Sequence, residues 1–549
     1  MGQNFGLLLA MARDSSPTTA SPDDDLIVRI ADLSRIGIAL SKEKDLDRLL
    51  EEILIEAKRV THSDGGTLYR RIPEKPDTLQ FAIIRNDTLN IAMGGTTGVD
   101  IPFDSLPLYL EGGLENTRLV AAYAVLKDRT VAIADAYEEQ GFDFSGTKDF
   151  DRRMGYRSKS FLTVPMKNHE DEIIGVLQLI NARDRSSGEI IPFRDSDISL
   201  VESLASQAAM ALTNRLLVIQ LERLFESFIS LLNQAIDEKS PYTAGHCARV
   251  PVLTMALAEA VNSTQIGPFK EWSMTDRDRY ELKIAGLLHD CGKVTTPIHI
   301  VDKGTKLETI FDRIALIDTR FEVIKRDAEL ALLRAEQPAA VPARLAEIQS
   351  DRDFLREANQ GSEKMSVADQ NRVRSIATKY RWTGPDGTES DFLSPEEIAC
   401  LTIPYGTLLP EERKIINHHI NVTIKMLEAL PWPRHLKNVP EYAGGHHERM
   451  DGKGYPRGLT RDQMSVQARI MGIADIFEAL TAHDRPYKSG KTLAESLQIL
   501  GELKLNGHID PDLFDIFVRE KVYLGYARDY MAPDQIDEVD HTKIPGYHE

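Results

Sequence analysis

The hydrophobic residues of the first third of the chain repeat first at helical and then at strand spacing. Over residues 26–60 they recur every three or four positions, which predicts a helical region. Short apolar runs then predict β-strands at residues 67–69, 81–84, 131–133, 161–164 and 173–181. Helix, strands and a further helix predict an α+β domain over residues 25–205, which follows a flexible N-terminus over residues 1–24.

The next helix, predicted over residues 197–240, carries apolar residues at alternating steps of four and three. These positions are Leu217, Leu221, Leu224, Phe228, Leu231 and Ala235. The spacing is that of a coiled-coil seam, so it predicts a parallel homodimer through a signalling helix over residues 206–236. The alternative is a helix that packs only on its own domain.

Residues 310–410 are rich in charge but show no spacing typical of metal ligands. Two helical segments, residues 321–335 and 343–358, flank a stretch with two prolines, which predicts an antiparallel helical hairpin. We interpret it as a structural insertion or a dimer contact within a larger domain over residues 237–530. A C-terminal tail over residues 531–549 follows.

Composition limits the class of protein. A chain of 549 residues exceeds one hydrophobic core, so two or three domains are expected. The net charge of -19 disfavours partners such as nucleic acid or an anionic membrane, but it leaves room for a small anionic ligand. Three cysteines are too few for a disulfide framework, which favours a reducing compartment, and we expect a cytoplasmic location.

A histidine–aspartate pair follows an apolar run over residues 284–288. His289 and Asp290 stand at the predicted end of this helix, and Lys293 lies one helical turn further on. Such a pair can bind two metal ions, with the carboxylate between them, while a lysine can neutralise phosphate charge. We therefore predict that His289 and Asp290 are metal ligands, that Asp290 and Lys293 are catalytic, and that Lys293 also binds substrate.

Two adjacent histidines begin a second motif. His446 and His447 run into a glycine-rich loop over residues 451–456. Neighbouring residues on a helix point about 100° apart, so both imidazoles can face one site only at a helix end or bend. Glu448 is interpreted as a group that orients ligands or shapes the loop, and Tyr455 is expected to border the substrate.

An acidic residue and a basic tetrapeptide complete the candidate chemistry. Asp475 is embedded in apolar residues, and a buried carboxylate must be paired or bound to metal. With the histidines present, metal binding is the favoured interpretation. Arg485 and Lys488 flank Tyr487, and two cations beside an aromatic ring suit a nucleotide, although a solvated loop is an alternative.

The first domain resembles a GAF domain of the phosphodiesterase type. The resemblance lies in residues 155–166 and in the strand at residues 173–181. It implies either a sensor of a small-molecule ligand such as a cyclic nucleotide, or a domain used only for dimerisation. The motif of the cyclic-nucleotide-binding subset is partial: the chain keeps Asn181, Phe193 and Asp197, and has Ala182 and Ile198 at the other two positions.

The second domain resembles the HD-GYP family of HD phosphohydrolases. The matching segments are residues 242–250, 289–293, 446–456, 474–481 and 485–487. The resemblance implies an all-helical bundle that hydrolyses cyclic di-GMP with metal ions, often iron or manganese. The fold class is therefore multidomain: an α+β GAF sensor domain, a long coiled-coil linker helix, and an all-α HD-GYP bundle with a helical-hairpin insertion.

Family ligand positions carry over to this chain residue by residue. They are His246, His289, Asp290, His419, His446, His447 and Asp475. His418 is an alternative to His419, but the apolar pattern at Ile416, Ile420 and Ile424 favours His419. Members that bind three metals have Glu four positions before the first histidine, and this chain has Tyr242 there, so two divalent ions are expected.

The expected function is GAF-regulated hydrolysis of cyclic di-GMP to pGpG, to GMP or to both, through a metal-bridged hydroxide. One alternative keeps the chemistry but changes the substrate to another cyclic dinucleotide, such as cyclic GMP-AMP. The other is a catalytically silent cyclic-dinucleotide receptor, which the intact ligand set disfavours.

Overall fold

A computed structural model describes the chain except for residues 1–21, 74–76, 241–244, 362–363, 385, 484–489 and 549. The chain divides into two compact units, Met1–Leu224 and Phe225–Glu549. Within the described residues, no helix combines the length and the apolar content that crossing a bilayer demands.

The first unit combines one antiparallel sheet with helices, as the sequence predicts. Its helices are α1 (Pro22–Lys42), α2 (Leu46–Thr61), α3 (Val120–Leu126), α4 (Ser145–Met154) and the start of α5 (Asp195–Lys239). Its strands are β1 (Ser63–Ile72), β2 (Thr78–Asn86), β3 (Ile91–Gly94), β4 (Leu106–Pro107), β5 (Val131–Ile133), β6 (Phe161–Lys167), β7 (Ile173–Arg183) and β8 (Ile190–Ile191). The helical stretch over residues 26–60 is two helices, because Asp45 caps α2 by accepting from the Arg48 backbone N–H at 2.8 Å.

The sheet runs in the order β3-β2-β1-β7-β6-β5, with β4 beside β2 and β8 beside β7. Leu54 on α2, Leu177 on β7 and Leu204 on α5 lie in the core of one face. Gly66 lets α2 approach the sheet, since a Cβ there would stand 2.8 Å from Leu54 Cδ1. The short strands β3, β4 and β8 were not predicted, because two to four residues carry too little pattern.

Asn181, one residue of the partial cyclic-nucleotide motif, forms its hydrogen bonds within the domain itself. Asn181, at φ +58°, accepts hydrogen bonds from the backbone N–H groups of Lys159 and Ser160. Its amide donates to the Tyr156 hydroxyl at 2.8 Å and to the Arg157 carbonyl at 2.9 Å. The Asn181 side chain is therefore fully hydrogen-bonded without a ligand.

Helix α5 has a buried face and an exposed apolar stripe. Leu212 is buried in the core of the first unit, and Ile229 and Ile236 are buried in that of the second. The predicted seam is exposed: the relative solvent exposure lies between 50% and 67% at Leu217, Leu221, Leu224, Phe228 and Leu231. Packing on its own domain thus uses other positions of the helix and leaves the heptad stripe uncovered.

The second unit is mainly helical. After the end of α5 come α6 (His246–Ser263), α7 (Asp276–Leu288), α8 (Ile298–Val301), α9 (Ile314–Arg334), α10 (Val341–Asn359), α11 (Val367–Lys379), α12 (Pro395–Leu401), α13 (Pro410–Asn417), α14 (His419–Glu428), α15 (Val439–Gly444), α16 (Val466–Thr481), α17 (Leu493–Leu505), α18 (Pro511–Arg519) and α19 (Val522–Tyr530). The segment predicted as a C-terminal tail joins the same core through Ile544 and Tyr547, so the helical unit extends beyond residue 530.

The insertion has a hydrophobic core of its own. Helices α9 and α10 pack against each other, and Asp318 on α9 pairs with Arg352 and Arg356 on α10 at 2.8 and 2.6 Å. A two-stranded hairpin, β9 (Arg381–Thr383) and β10 (Glu389–Asp391), follows α11. This hairpin departs from the all-helical expectation, since three-residue strands of mixed polarity leave no clear pattern in the sequence.

Lys306 lies just before the insertion, and its side chain is buried against residues of the insertion. The side chain is 1% exposed, and its ammonium contacts the Met365 sulfur at 3.3 Å and the Leu401 carbonyl at 3.4 Å. Burial lowers the pKa of Lys306. The unfolded chain therefore binds this proton more tightly than the folded chain does. The protonated lysine lowers the free energy of unfolding at neutral pH, and this destabilisation decreases as the pH rises towards about 10.

Lys306→Met should therefore stabilise the insertion by about 1 kcal/mol at neutral pH. Hydrogen exchange of the α10 amides in the full chain measures this gain. The gain should shrink as the pH rises towards the pKa of an unfolded lysine. Lys364→Met, at an exposed position of the same segment, is the matched control. Slower exchange in the control as well would contradict the explanation.

Candidate metal centre

Seven predicted ligands converge in the second unit, and most of them lie at helix ends. His246 begins α6, His289 and Asp290 follow α7, His419 begins α14, His446 and His447 follow α15, and Asp475 lies on α16. Because α7 and α15 end just before their paired ligands, neighbouring side chains can turn towards one site, as the motif requires.

One group of potential ligands is formed by His246, His289 and Asp290. The Nε2 atom of His246 lies 3.1 Å from Asp290 Oδ2 and 3.4 Å from His289 Nε2. Asp475 adjoins this group, since its Oδ1 lies 3.2 Å from His246 Nε2 and 3.8 Å from His289 Nε2. Two imidazoles and two carboxylates thus face a common point.

A second group consists of Asp290, His419, His446 and His447. The Nε2 atoms of His419 and His447 are 3.2 Å apart, and His419 Nε2 lies 3.1 Å from Asp290 Oδ1. Asp290 therefore directs one carboxylate oxygen to each group, which is the placement expected of a bridging ligand between two cations.

The backbone sets the tautomers of three histidines in the same way. Nδ1 of His289, His419 and His446 each donates to the carbonyl three residues earlier, at 2.7, 2.6 and 2.6 Å. In the neutral ring, Nε2 is then the acceptor, and it faces the site. His446 Nε2 and Asp290 Oδ1 are buried without any hydrogen-bond partner among the described residues, so both atoms have lone pairs suited to a metal.

The protonation states suit metal ligation at most of these positions. Burial and the nearby His289 lower the pKa of His446 to about 4, and burial and His446 lower that of His447. Burial opposes the charge of Asp290, but Lys293 and the histidines hold its pKa well below the usual range. Neutral imidazoles and ionised carboxylates are the forms that bind cations. His246 differs, because Asp290, Asp475 and Glu478 outweigh burial and raise its pKa.

The glycine-rich loop shapes the site. Glu448 accepts from the backbone N–H groups of Arg457 at 2.7 Å and Leu459 at 2.9 Å. A Cβ at Gly454 would stand 2.5 Å from Glu448 Cα, so only glycine permits this close approach. Glu448 thus orders the loop, consistent with the structural interpretation of its motif.

The structure describes two of the four predicted substrate-binding residues. Lys293 forms an ion pair with Asp290, and the Tyr455 ring stacks on His447 with centroids 4.9 Å apart. Arg485 and Lys488 lie outside the described residues, as does Tyr242, on which the prediction of two metal ions rests. His418 is exposed while His419 is buried, so His419 is the histidine that faces the cluster.

One pair of charged residues beside the site was not predicted from the sequence. Glu478 is completely buried and accepts a hydrogen bond from His246 Nδ1, and its other oxygen binds Arg249. Glu478 lies three positions after Asp475 on α16, so the helical period could have placed it on the same face. No pattern linked it to His246, which precedes it by more than 200 positions.

Protein-family models match most of the two units. A GAF domain model matches residues 45–212, and two HD domain models match residues 243–348 and 390–513. A solved GAF domain from an Acinetobacter phosphoenolpyruvate-protein phosphotransferase aligns with 35% of this chain and 98% of its own, at 15% identity and a TM-score of 0.26.

Curated relatives match parts of the chain. The 3'3'-cGAMP-specific phosphodiesterase 3 of Vibrio cholerae is 25% identical over 53% of this chain and 37% of its own length. A cyclic di-GMP phosphodiesterase of Thermotoga maritima is 33% identical over 24% of this chain and 40% of its own. One from Pseudomonas aeruginosa is 47% identical over 14% of this chain and 17% of its own. The chain thus spans less than half the length of each of these relatives.

The matched regions coincide with the segments in which the sequence resembled GAF and HD-GYP proteins. The resemblance is therefore confirmed at the level of both domains. The chain thus carries a region that matches a GAF domain ahead of a region that matches HD domains.

Proposed function

We propose that this protein is a metal-dependent phosphodiesterase that hydrolyses cyclic di-GMP. The observation that carries the proposal is the pair of ligand groups that share Asp290. Relatives named as cyclic di-GMP or 3'3'-cGAMP phosphodiesterases support this substrate class. We propose His246, His289, Asp290 and Asp475 as ligands of one cation and Asp290, His419, His446 and His447 as ligands of the other.

The chemistry divides between the cations and the protein. When bound, two divalent cations such as iron or manganese supply Lewis acidity and an acidified water. Hydrolysis joins the water oxygen to phosphorus, breaks the bond to the 3′ oxygen and transfers a proton to that leaving oxygen. The ammonium of Lys293 lies at Asp290, where it can stabilise the negative charge that develops on the phosphoryl group. The Tyr455 ring, stacked on His447, provides a surface for a base.

Cyclic GMP-AMP is the second candidate substrate. A relative named for 3'3'-cGAMP aligns with more than half of this chain. Both dinucleotides present the same phosphodiester, so the ligand cluster serves either one.

A hydrolysis assay on the full chain separates these functions. The purified protein, loaded with Fe(II) or Mn(II), is given cyclic di-GMP, 3'3'-cGAMP and cyclic di-AMP, and products are resolved as linear dinucleotides or mononucleotides. Preferred turnover of cyclic di-GMP supports the proposal, and preferred turnover of 3'3'-cGAMP would replace it. Tight binding of a dinucleotide without turnover of any would identify a receptor.

We propose that the GAF domain regulates this activity through α5. The buried contacts of α5 lie in the core of each unit, so a change in one core can bias the helix in the other. The fully bonded Asn181 gives no support to a cyclic-nucleotide ligand in particular. The three cysteines are unpaired and buried, which supports a reducing location such as the cytoplasm.

The exposed stripe on α5 is proposed to pair with that of a second copy. A heptad seam of exposed leucines is covered when two such helices associate in parallel. Leu224→Glu with Leu231→Glu should convert a dimer into a monomer in sedimentation equilibrium, because four carboxylates would meet in an apolar seam. Gln234→Glu adds a charge to the same helix outside the stripe and should leave the dimer intact. A wild-type monomer at micromolar concentration would refute the pairing.

A further inference from the structure

His246 is held differently from the other proposed histidine ligands. Its Nδ1 donates to the Glu478 carboxylate, whereas Nδ1 of His289, His419 and His446 each donates to a backbone carbonyl. A carboxylate is the stronger acceptor of the two, so it makes the opposite ring nitrogen a better electron donor to a cation. The two ligand groups therefore differ in what supports them.

Glu478 is in turn held by a cation. The guanidinium of Arg249 contacts Glu478 Oε1 through Nε at 2.7 Å and through a terminal nitrogen at 2.6 Å, while Oε2 faces His246. Glu478 is 0% exposed, and a buried carboxylate requires such a partner. Gly245 makes room for it, because a Cβ there would lie 2.5 Å from the guanidinium.

We infer that Glu478 is a positioning residue that fixes the tautomer of His246 and raises the metal affinity of the group formed by His246, His289, Asp290 and Asp475. Arg249 acts through Glu478 by fixing the carboxylate. The group with His419, His446 and His447 has no charged support of this kind among the described residues. This inference rests on the proposed metal centre, but it concerns binding rather than turnover.

Glu478→Gln tests the inference with little change of shape. Metal-free protein is titrated with Mn(II) by calorimetry, and wild type should bind two ions per chain. The variant should bind one of the two ions about 10- to 100-fold more weakly, while the other affinity stays within about twofold. Glu478→Asp keeps the charge and should recover part of the loss. Glu259→Gln is the matched control: Glu259 lies on the same helix as His246, and the change removes the carboxylate of its half-buried ion pair with Arg279 on α7.

A double variant distinguishes weaker metal binding from a folding defect. Glu478→Gln leaves Arg249 buried without its carboxylate, so the double variant with Arg249→Gln removes both charges and should show the same loss at one ion. The inference would be overturned if the single and double variants each bound both ions with the same affinities as wild type. A wild-type protein that binds two ions but hydrolyses no cyclic dinucleotide would refute the proposed function and leave this comparison intact. A wild-type protein that binds no ion would refute both.

Discussion

Asp290→Ala should remove both metal ions and abolish hydrolysis. Asp290 is the one residue common to the two ligand groups, and its oxygens lie 3.1 Å from His246 and 3.1 Å from His419. Its loss takes a ligand from each cation and removes the carboxylate that pairs with Lys293. Several kcal/mol of transition-state stabilisation are at stake, so kcat/KM should fall at least about 10³-fold.

Metal content and turnover are measured on the same preparation. Asp475→Ala should lose the ion of one group and keep more of the other, because the ion-pair partners of Asp475 among the described residues are His246 and His289. Asp276→Ala changes an exposed acid at the start of α7 and should match wild type in both measurements. Two retained ions, or normal hydrolysis by a metal-depleted Asp290→Ala protein, would show that Asp290 does not bridge the metals.

Lys293→Met should separate turnover from metal binding. The lysine contacts Asp290 but offers no lone pair to a cation while it is protonated, and Asp290 and Asp475 hold its pKa above the usual value despite burial. Methionine keeps the length and apolar volume of the side chain. Loss of one preorganised charge should lower kcat by about 10²- to 10³-fold, with both ions retained.

The control for Lys293→Met is Lys453→Met in the glycine-rich loop, where the lysine side chain is 78% exposed. It should leave kcat unchanged. If Lys293→Met raised KM and left kcat unchanged, the lysine would stabilise the bound substrate and the transition state equally. Loss of metal together with activity would instead make Lys293 a structural partner of Asp290.

Much of the first unit was predictable because its pattern is local. The five predicted strands all appear, and the predicted α+β class is confirmed by the GAF match. The break between α1 and α2 was missed because apolar residues recur at helical spacing both before and after Asp45, which caps α2. The tail was misjudged for the opposite reason: Ile544 and Tyr547 are too few to form a pattern, yet each fills a place in a distant core.

The candidate site was predictable residue by residue but not as an arrangement. Motifs such as His289-Asp290 and His446-His447 mark residue types whose chemistry is evident from their neighbours. That Asp290 serves two groups depends on which imidazole lies at each of its oxygens, and α6, α7, α14 and α15 determine this in space.

The order of residues along the chain was enough to predict the heptad stripe from its period, and to predict the candidate ligands and the two kinds of domain once its motifs were compared with those of known families. Folding was needed to divide the ligands into two groups and to bring Glu478 to His246 across 232 positions. Only folding joins residues so far apart, since the partner of a buried charge is whichever group the helices carry within hydrogen-bond distance. The same holds for Lys306, because its burial cannot be predicted from the residues next to it in the sequence.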